Sequence, residues 1–347
     1  TCGAKMNLFS PHLKRNELIK FAKELDFNKS QDLLINVHRN HAFEGVQSII
    51  APFLHFANLR AEFNFSSYDD SLSFDNFKEA SLELLWLDLT RYKNNVQNFI
   101  EERLLELRKI SQNPILVLSL GEFKTDKKIL NCEIFNIEKL IKEYFDEEDI
   151  LDLAKEELTG SKLNNKALIF LAQILGLSLI PALVKPALKA LVLDLDNTLY
   201  QGILGEEGID NLNLSPLHKT LQEKIKTFKK QGFLLALASK NEEKDAKKLF
   251  ETRKDFILQW DDFDAKMINW EPKGENILKI AKKFNINTNA ILFIDDNIAE
   301  LENTKFTGVK TLLCDENILY KIKLFPNLLK LSNTKEDQIR AKDIAAN

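Results

Sequence analysis

The residues of this chain best suited to chemistry are Asp194 and Asp196, which interrupt the apolar run Leu191-Val-Leu-Asp-Leu-Asp-Asn-Thr-Leu199. Successive side chains of a strand point to opposite faces, so the two carboxylates share one face and Leu195 turns back into the core. Two acids so placed suit phosphoryl transfer: one attacks phosphorus, while the other gives a proton to the leaving group and later takes one from water. A D-x-D pair alone is a common acidic turn after a strand, and its weight here comes from three further stretches. Ser239 ends the apolar run that starts at Gly232, where a phosphate oxygen needs a donor. Lys273 follows Trp270-Glu-Pro, with the proline set to begin a helix at Asn276. It therefore lies near a helix N-terminus, where anions are favoured and an ammonium offsets the charge of a phosphorylated aspartate. The run Ala290-Ile-Leu-Phe-Ile-Asp-Asp-Asn297 ends in Asp295 and Asp296, with Glu300 one helical turn further on.

A phosphate dianion and an aspartate repel one another unless a hard cation sits between them, and Mg2+ takes oxygen ligands in an octahedron. Asp194 and one or both of Asp295 and Asp296 supply the expected side-chain oxygens, with the backbone carbonyl of Asp196 as a further ligand. Glu300 is a weaker candidate, equally readable as a helix-face carboxylate. These groups follow near-continuous hydrophobic runs, the pattern of buried parallel strands, whose carboxyl ends are where open sheets bind ligands.

The motifs D-L-D-N-T-L, Ser239, Lys273 and F-I-D-D-N resemble the haloacid dehalogenase (HAD) superfamily. The stretches Lys189 to Gly208, Ala238-Ser-Lys-Asn-Glu-Glu243 and Phe293 to Asn297 are similar to its FkbH-like branch, and the resemblance covers roughly residues 185 to 345. It implies a HAD-type Rossmannoid domain with Asp194 as nucleophile and Asp196 as general acid and base. Ser239 and Lys273 would hold the phosphate, and Asp295 with Asp296 would bind Mg2+. Larger relatives insert a cap domain after the first or second motif. Here only about 40 residues separate Thr198 from Ser239, and fewer separate Ser239 from Lys273. The first gap has room for a hairpin around Gly202 and Gly205 and one helix, Leu217 to Lys230, so an open site without a large cap is expected.

At 347 residues the chain exceeds the usual single-core size,. The expected architecture is α/β in two domains, a parallel-sheet domain over 1–184 and the catalytic domain over 185–347. In the first, Leu33 to Val37, Ala61 to Phe65, Leu84 to Leu89 and Ile115 to Leu118 read as strands. Helical patterns run from Glu44 to Ala57 and from Asn94 to Lys109, with an outer helix over Glu17 to Leu25. This alternation predicts a flavodoxin-like sheet. FkbH-like relatives resemble the SGNH-hydrolase fold here, but His38-Arg-Asn-His41 stands where a serine would follow the first strand, and no Asp-x-x-His follows later. An esterase is not expected. His38 and His41 read as a polar loop facing solvent or capping, with a metal or phosphate as the less favoured alternative.

With 48 basic and 52 acidic side chains, the chain gives no reason to infer nucleic acid or an anionic membrane as partner,. Cys2, Cys132 and Cys314 match no metal or redox spacing, which suits a reducing cytoplasm, and Cys314 reads as a buried structural thiol. The apolar segment Ala167 to Val184 approaches membrane-span length, but Gln173, Gly176, Ser178 and Pro181 interrupt it, and a buried helix followed by a linker is expected,. No signal peptide is visible in a chain that begins at Thr1. Asp261, Asp262 and Asp264 with Trp260 and Trp270 read as a surface loop with partly buried tryptophans. Lys240 and Asn241 follow Ser239 directly and could reach the phosphate or leaving group, although an asparagine at a helix N-terminus is equally a routine cap,. Residues Lys335 to Arg340 read as a final solvated helix.

The leading expectation is a Mg2+-dependent phosphatase or phosphotransferase working through an aspartyl-phosphate on a phosphorylated small molecule or a carrier-linked substrate. The alternative, implied by the FkbH-like resemblance, is a glyceryl-loading enzyme with an acyl carrier protein as partner. A non-catalytic scaffold or binding module is the third reading, disfavoured by the presence of all four motif elements.

Overall fold

The computed structural model describes residues 6–331 except Asn76 and Asn94. The chain divides into two compact units, residues 1–186 with 324–347, and residues 187–323. Each is built on a five-stranded parallel sheet.

The strands of the first unit are β1 (Gln31–Arg39), β2 (Leu59–Tyr68), β3 (Leu82–Asp88), β4 (Ile115–Leu120) and β5 (Cys132–Asn136). They lie in the order β2-β1-β3-β4-β5, the flavodoxin arrangement,. Every residue of β3 and β4 is buried, as expected of strands covered on both faces, whereas edge strand β2 is half exposed,. The helices Glu44–Phe56 and Val96–Ile110 occupy the predicted stretches, and the outer helix runs Arg15–Ala22. Two elements were not expected from the sequence, β5 and the helix Ile137–Phe145, which Asn136 caps by accepting from the Lys139 amide.

Two expectations are corrected here. The apolar segment does not stop at a linker: Asn165–Val184 is a 20-residue helix with a π-helical stretch at Ile174–Leu179. It is long and apolar enough to cross a membrane, but 83% of it is buried inside the protein, and it serves as a core helix. Pro181 is tolerated because it follows the π stretch, where the wider turns already break the ordinary i→i−4 ladder,. The second domain also ends earlier than expected among the described residues, because residues 324–331 group with the first unit. Asn327 donates to the Pro181 carbonyl at 3.0 Å, and the Phe325 ring stacks on Phe9. The helix expected over Lys335 to Arg340 lies outside the described residues, as does Cys2.

The second unit carries β6 (Ala190–Leu193), β7 (Leu234–Ser239), β8 (Ala265–Ile268), β9 (Ile291–Asp295) and β10 (Lys310–Leu313). Their order, β10-β9-β6-β7-β8, puts the first strand in the middle of the sheet, the 3-2-1-4-5 order of doubly wound dinucleotide-binding folds,. The carboxyl ends of β9, β6 and β7 therefore lie side by side. The β6–β7 connection holds only a short helix at Leu204–Glu207, a 3-10 turn and the helix Pro216–Lys230; that between β7 and β8 holds the helix Glu243–Thr252 and another 3-10 turn. Neither contains a cap domain. Pro216 starts its helix at the first turn, and Ser215 caps it,.

Candidate active site

Asp194 follows β6 directly, Ser239 ends β7 and Asp295 ends β9, so sheet order alone gathers three of the predicted residues. The fourth, Lys273, is the first residue of the helix Lys273–Phe284, which begins three residues before the expected start because Pro272 occupies the cap. Its ammonium lies 2.6 Å from Asp295 Oδ2 and 3.0 Å from Asp194 Oδ1. All three side chains are buried. One oxygen from each of Asp194, Asp295 and Asp296 can be brought within 4.8 Å of the others.

Three carboxylates thus face one ammonium. Burial raises the Asp194 pKa, and Asp295 adds to the effect against the pull of Lys273, to about 6. Burial and the neighbouring Asp295 likewise raise Asp296. Burial alone would lower Lys273, but Asp194 and Asp295 outweigh it, and its pKa is raised. Asp194 Oδ1 is buried, and the Lys273 ammonium 3.0 Å away is the charge that meets it. An all-oxygen, acid-rich set with more carboxylates than cations fits a hard divalent cation,. Asp194, Asp295 and Asp296 would hold it.

Asp196 is placed differently from the expected metal acids. Its Oδ1 accepts from the Tyr200 hydroxyl at 2.7 Å and from the Leu204 amide at 2.9 Å, and its Oδ2 accepts from Asn241 Nδ2 at 2.9 Å. The carboxylate is outside the acid cluster, which leaves only its backbone carbonyl for the ligand role expected of it. The loop that delivers it turns at Asn197, in the left-handed region at φ 53°, and closes where the Gly202 amide donates to Asn197 Oδ1. At Gly202, φ is 113°, a backbone conformation that other residues rarely adopt, so the turn requires glycine,. The hairpin expected around Gly202 and Gly205 is reduced to one antiparallel bridge, Gln201 with Asn213, and between them lies the helix Leu204–Glu207, whose first amide binds Asp196.

Asn241 also donates to Ser239 Oγ at 3.2 Å, tying that hydroxyl to the Asp196 carboxylate. Lys240 pairs with Glu300 at 2.5 Å, so Glu300 is engaged with a lysine and does not belong to the acid cluster. Tyr200 was missed by sequence reasoning: an aromatic residue in an apolar run reads as core, and its ring is indeed fully buried. Its hydroxyl alone does the work at Asp196.

The histidines of the first unit are not in a solvent-facing loop. His38 and His41 are both buried. His38 Nε2 lies 2.9 Å from Glu83 Oε2, and Glu83 also accepts from Asn36 and from Ser111. His41 stacks on Trp86, with Nδ1 3.1 Å from Ser161 Oγ. Neither belongs to a group of metal-ligating residues among the described residues.

No protein-family model matches the sequence, and no curated protein is significantly similar to it. Among solved structures, the chain is similar to the N-terminal part of a Bacteroides fragilis protein containing a phosphatase domain, complexed with Mg. Identity is 21% and the TM-score 0.70, over 91% of this chain and 100% of that one. A HAD-family enzyme of Bacteroides thetaiotaomicron, in complex with magnesium and inorganic phosphate, aligns over 37% of this chain and 94% of its own, with 13% identity and a TM-score of 0.30. The two-unit α/β fold of this chain is therefore one already seen in a solved structure.

Proposed function

We propose that the second unit is a Mg2+-dependent phosphatase or phosphotransferase of the HAD type that works through an aspartyl-phosphate on Asp194. The observation that carries this reading is the cluster of Asp194 and Asp295, both buried and paired with the Lys273 ammonium, with half-buried Asp296 beside them. Like charges so crowded destabilise a fold, and an arrangement of that kind points to a functional site. The B. fragilis structure contains a phosphatase domain with Mg, which agrees with the reading.

Bound Mg2+ would neutralise the phosphate and the acids so that the two can meet. The chain's own groups then divide the work. Asp194 attacks phosphorus, forming the new O–P bond as the ester O–P bond breaks. Asp196, the acid two residues on, gives its proton to the departing oxygen. It takes a proton back from the water, or the acceptor hydroxyl, that next attacks the aspartyl-phosphate and frees Asp194. Lys273 and Ser239 hold the phosphoryl oxygens, and Tyr200, Asn241 and the Leu204 amide fix the aim of Asp196,.

The carrier-loading alternative needs a reactive acceptor thiol. Burial pushes the thiols of both Cys132 and Cys314 up to about 12, which leaves neither available as a thiolate,. Among the described residues no cysteine is available as an acceptor, which favours a phosphorylated small molecule as substrate class, and a reducing cytoplasm is the compartment we propose. The test is turnover of an aryl phosphate. EDTA should abolish it and Mg2+ restore it, and Asp194→Asn should remove it by at least about 10³-fold while leaving the fold intact. Unchanged turnover in either experiment contradicts the reading.

A further inference from the structure

We propose that Lys240 recognises a second acidic group on the substrate, so that the enzyme favours phosphate monoesters whose alcohol part carries a carboxylate. The inference rests on the phosphatase reading and deepens it by naming a substrate class. Lys240 follows Ser239 directly, yet no step of the reaction uses its ammonium.

Lys240 is tied down at both ends, and the two ends lie on opposite sides of the central strand. Its backbone follows the last residue of β7. Its ammonium donates to Glu300 Oε1 at 2.5 Å, in the first turn of the helix Ile298–Thr304 that follows β9. β7 and β9 are the two neighbours of β6. Adjacent strands lie about 4.8 Å apart, so the lysine spans roughly twice that distance, past the end of β6 from which Asp194 and Asp196 emerge. It does so outside the buried cluster: the Lys240 side chain is 40% exposed, whereas those of Lys273 and Asp194 are 5% and 7% exposed. The Lys240–Glu300 pair therefore crosses the mouth of the site.

An ammonium carries three N–H donors, and Glu300 accepts one of them,. Glu300 also shows what this ammonium takes, a carboxylate on a short aliphatic stem. Ion pairs this open to solvent are weak, so a carboxylate arriving on a substrate exchanges with Glu300 at little cost. The reacting phosphoryl group is served by Lys273 and by a cation held on Asp194, Asp295 and Asp296, and Glu300 keeps Lys240 out of that cluster. What remains for Lys240 is the part of the substrate that projects outward through the mouth. A lysine there selects by charge rather than by shape.

The experiment measures binding of 3-phosphonopropionate and propylphosphonate, equal in carbon number and neither open to turnover, to the full chain with Mg2+, alongside hydrolysis of phosphoglycolate and ethyl phosphate. The wild-type protein should prefer the carboxylate member of each pair. Lys240→Met should cut that preference roughly tenfold, the worth of a charge-assisted hydrogen bond, and Lys240→Arg should keep most of it. Glu300→Gln removes the competing carboxylate and should raise the preference. A merely structural ion pair would lose stability in both variants without moving the preference in opposite directions. No preference in the wild type, an unchanged preference in Lys240→Met, or one that Glu300→Gln fails to raise overturns the proposal. Should Lys240→Met bind neither phosphonate, Glu300→Gln alone decides. If the phosphonate preference follows Lys240 while no ester is turned over, the phosphatase reading fails and the recognition stands. If turnover proceeds without any such preference, only the recognition fails.

Discussion

The two units solve the same problem in opposite ways. Each is an open parallel sheet that buries polar and charged groups at its central strands, with Glu83 at the start and Asp88 at the end of β3 in the first unit, and Asp194 and Asp295 at strand ends in the second. In the first unit those groups satisfy one another: Glu83 is held by His38, Asn36 and Ser111, and Asp88 by Thr90, Arg91 and Lys162. Burial alone would raise both acids, but these partners outweigh it and keep them below their ordinary range. In the second unit three acids share one ammonium, and Asp194 and Asp296 are raised. A buried network closed on itself stabilises; one left short of positive charge is poised to receive it.

Lys273→Met tests the difference most severely. It leaves three carboxylates with no cation, so the metal-free protein should lose about 3–5 kcal/mol of stability by chemical denaturation, with Mg2+ returning part of it. Turnover should fall at least 10²-fold. Glu83→Gln is the counterpart in the first unit. It should lower stability by about 2 kcal/mol, since an amide cannot accept all the donors gathered there, and leave kcat and KM unchanged. An effect of Glu83→Gln on kcat would break the division between the units.

Acid should move the two units in opposite directions. His41 is lowered by burial from 6.5 to about 3, so the unfolded chain takes its proton first and the first unit loses about 1.4 kcal/mol per pH unit as pH falls below 6.5,. Asp194 is raised from 3.8 to about 6, so in EDTA the folded second unit takes its proton first and gains stability as pH falls from 6 toward 3.8,. Hydrogen exchange resolved by residue separates the two responses. Mg2+ should suppress the second, and His41→Phe the first. Tyr200→Phe carries the smallest effect: one of three donors to Asp196 is lost, so kcat should fall roughly tenfold at constant KM,.

Much of the second unit was legible because its chemistry sits at chain-local landmarks. β6, β7 and β9 are apolar runs that stop at Asp194, Ser239 and Asp295, and period and polarity reveal both strand and site. What could not be read depends on partners far away in sequence. Asn241 reaches Asp196 across 45 residues, and His38 reaches Glu83 across 45. The motif His38-Arg-Asn-His41 looks like a polar loop until those partners are known. Glycines at 202 and 205 signal a turn, yet only the bond from the Leu204 amide to Asp196 explains why a helix starts between them. β5 was missed because Cys132–Asn136 is short and only partly buried, with little apolar signal of its own.

The central claim is that Asp194 carries the phosphoryl group. Acid-quenching the Mg2+-loaded protein during turnover of a 32P-labelled ester and mapping the labelled peptide tests it directly. The label should be hydroxylamine-labile, lie on Asp194, build up when Asp196→Asn slows its hydrolysis, and vanish in Asp194→Asn. A label that persists in Asp194→Asn, or a wild-type protein that turns over without ever carrying one, contradicts it.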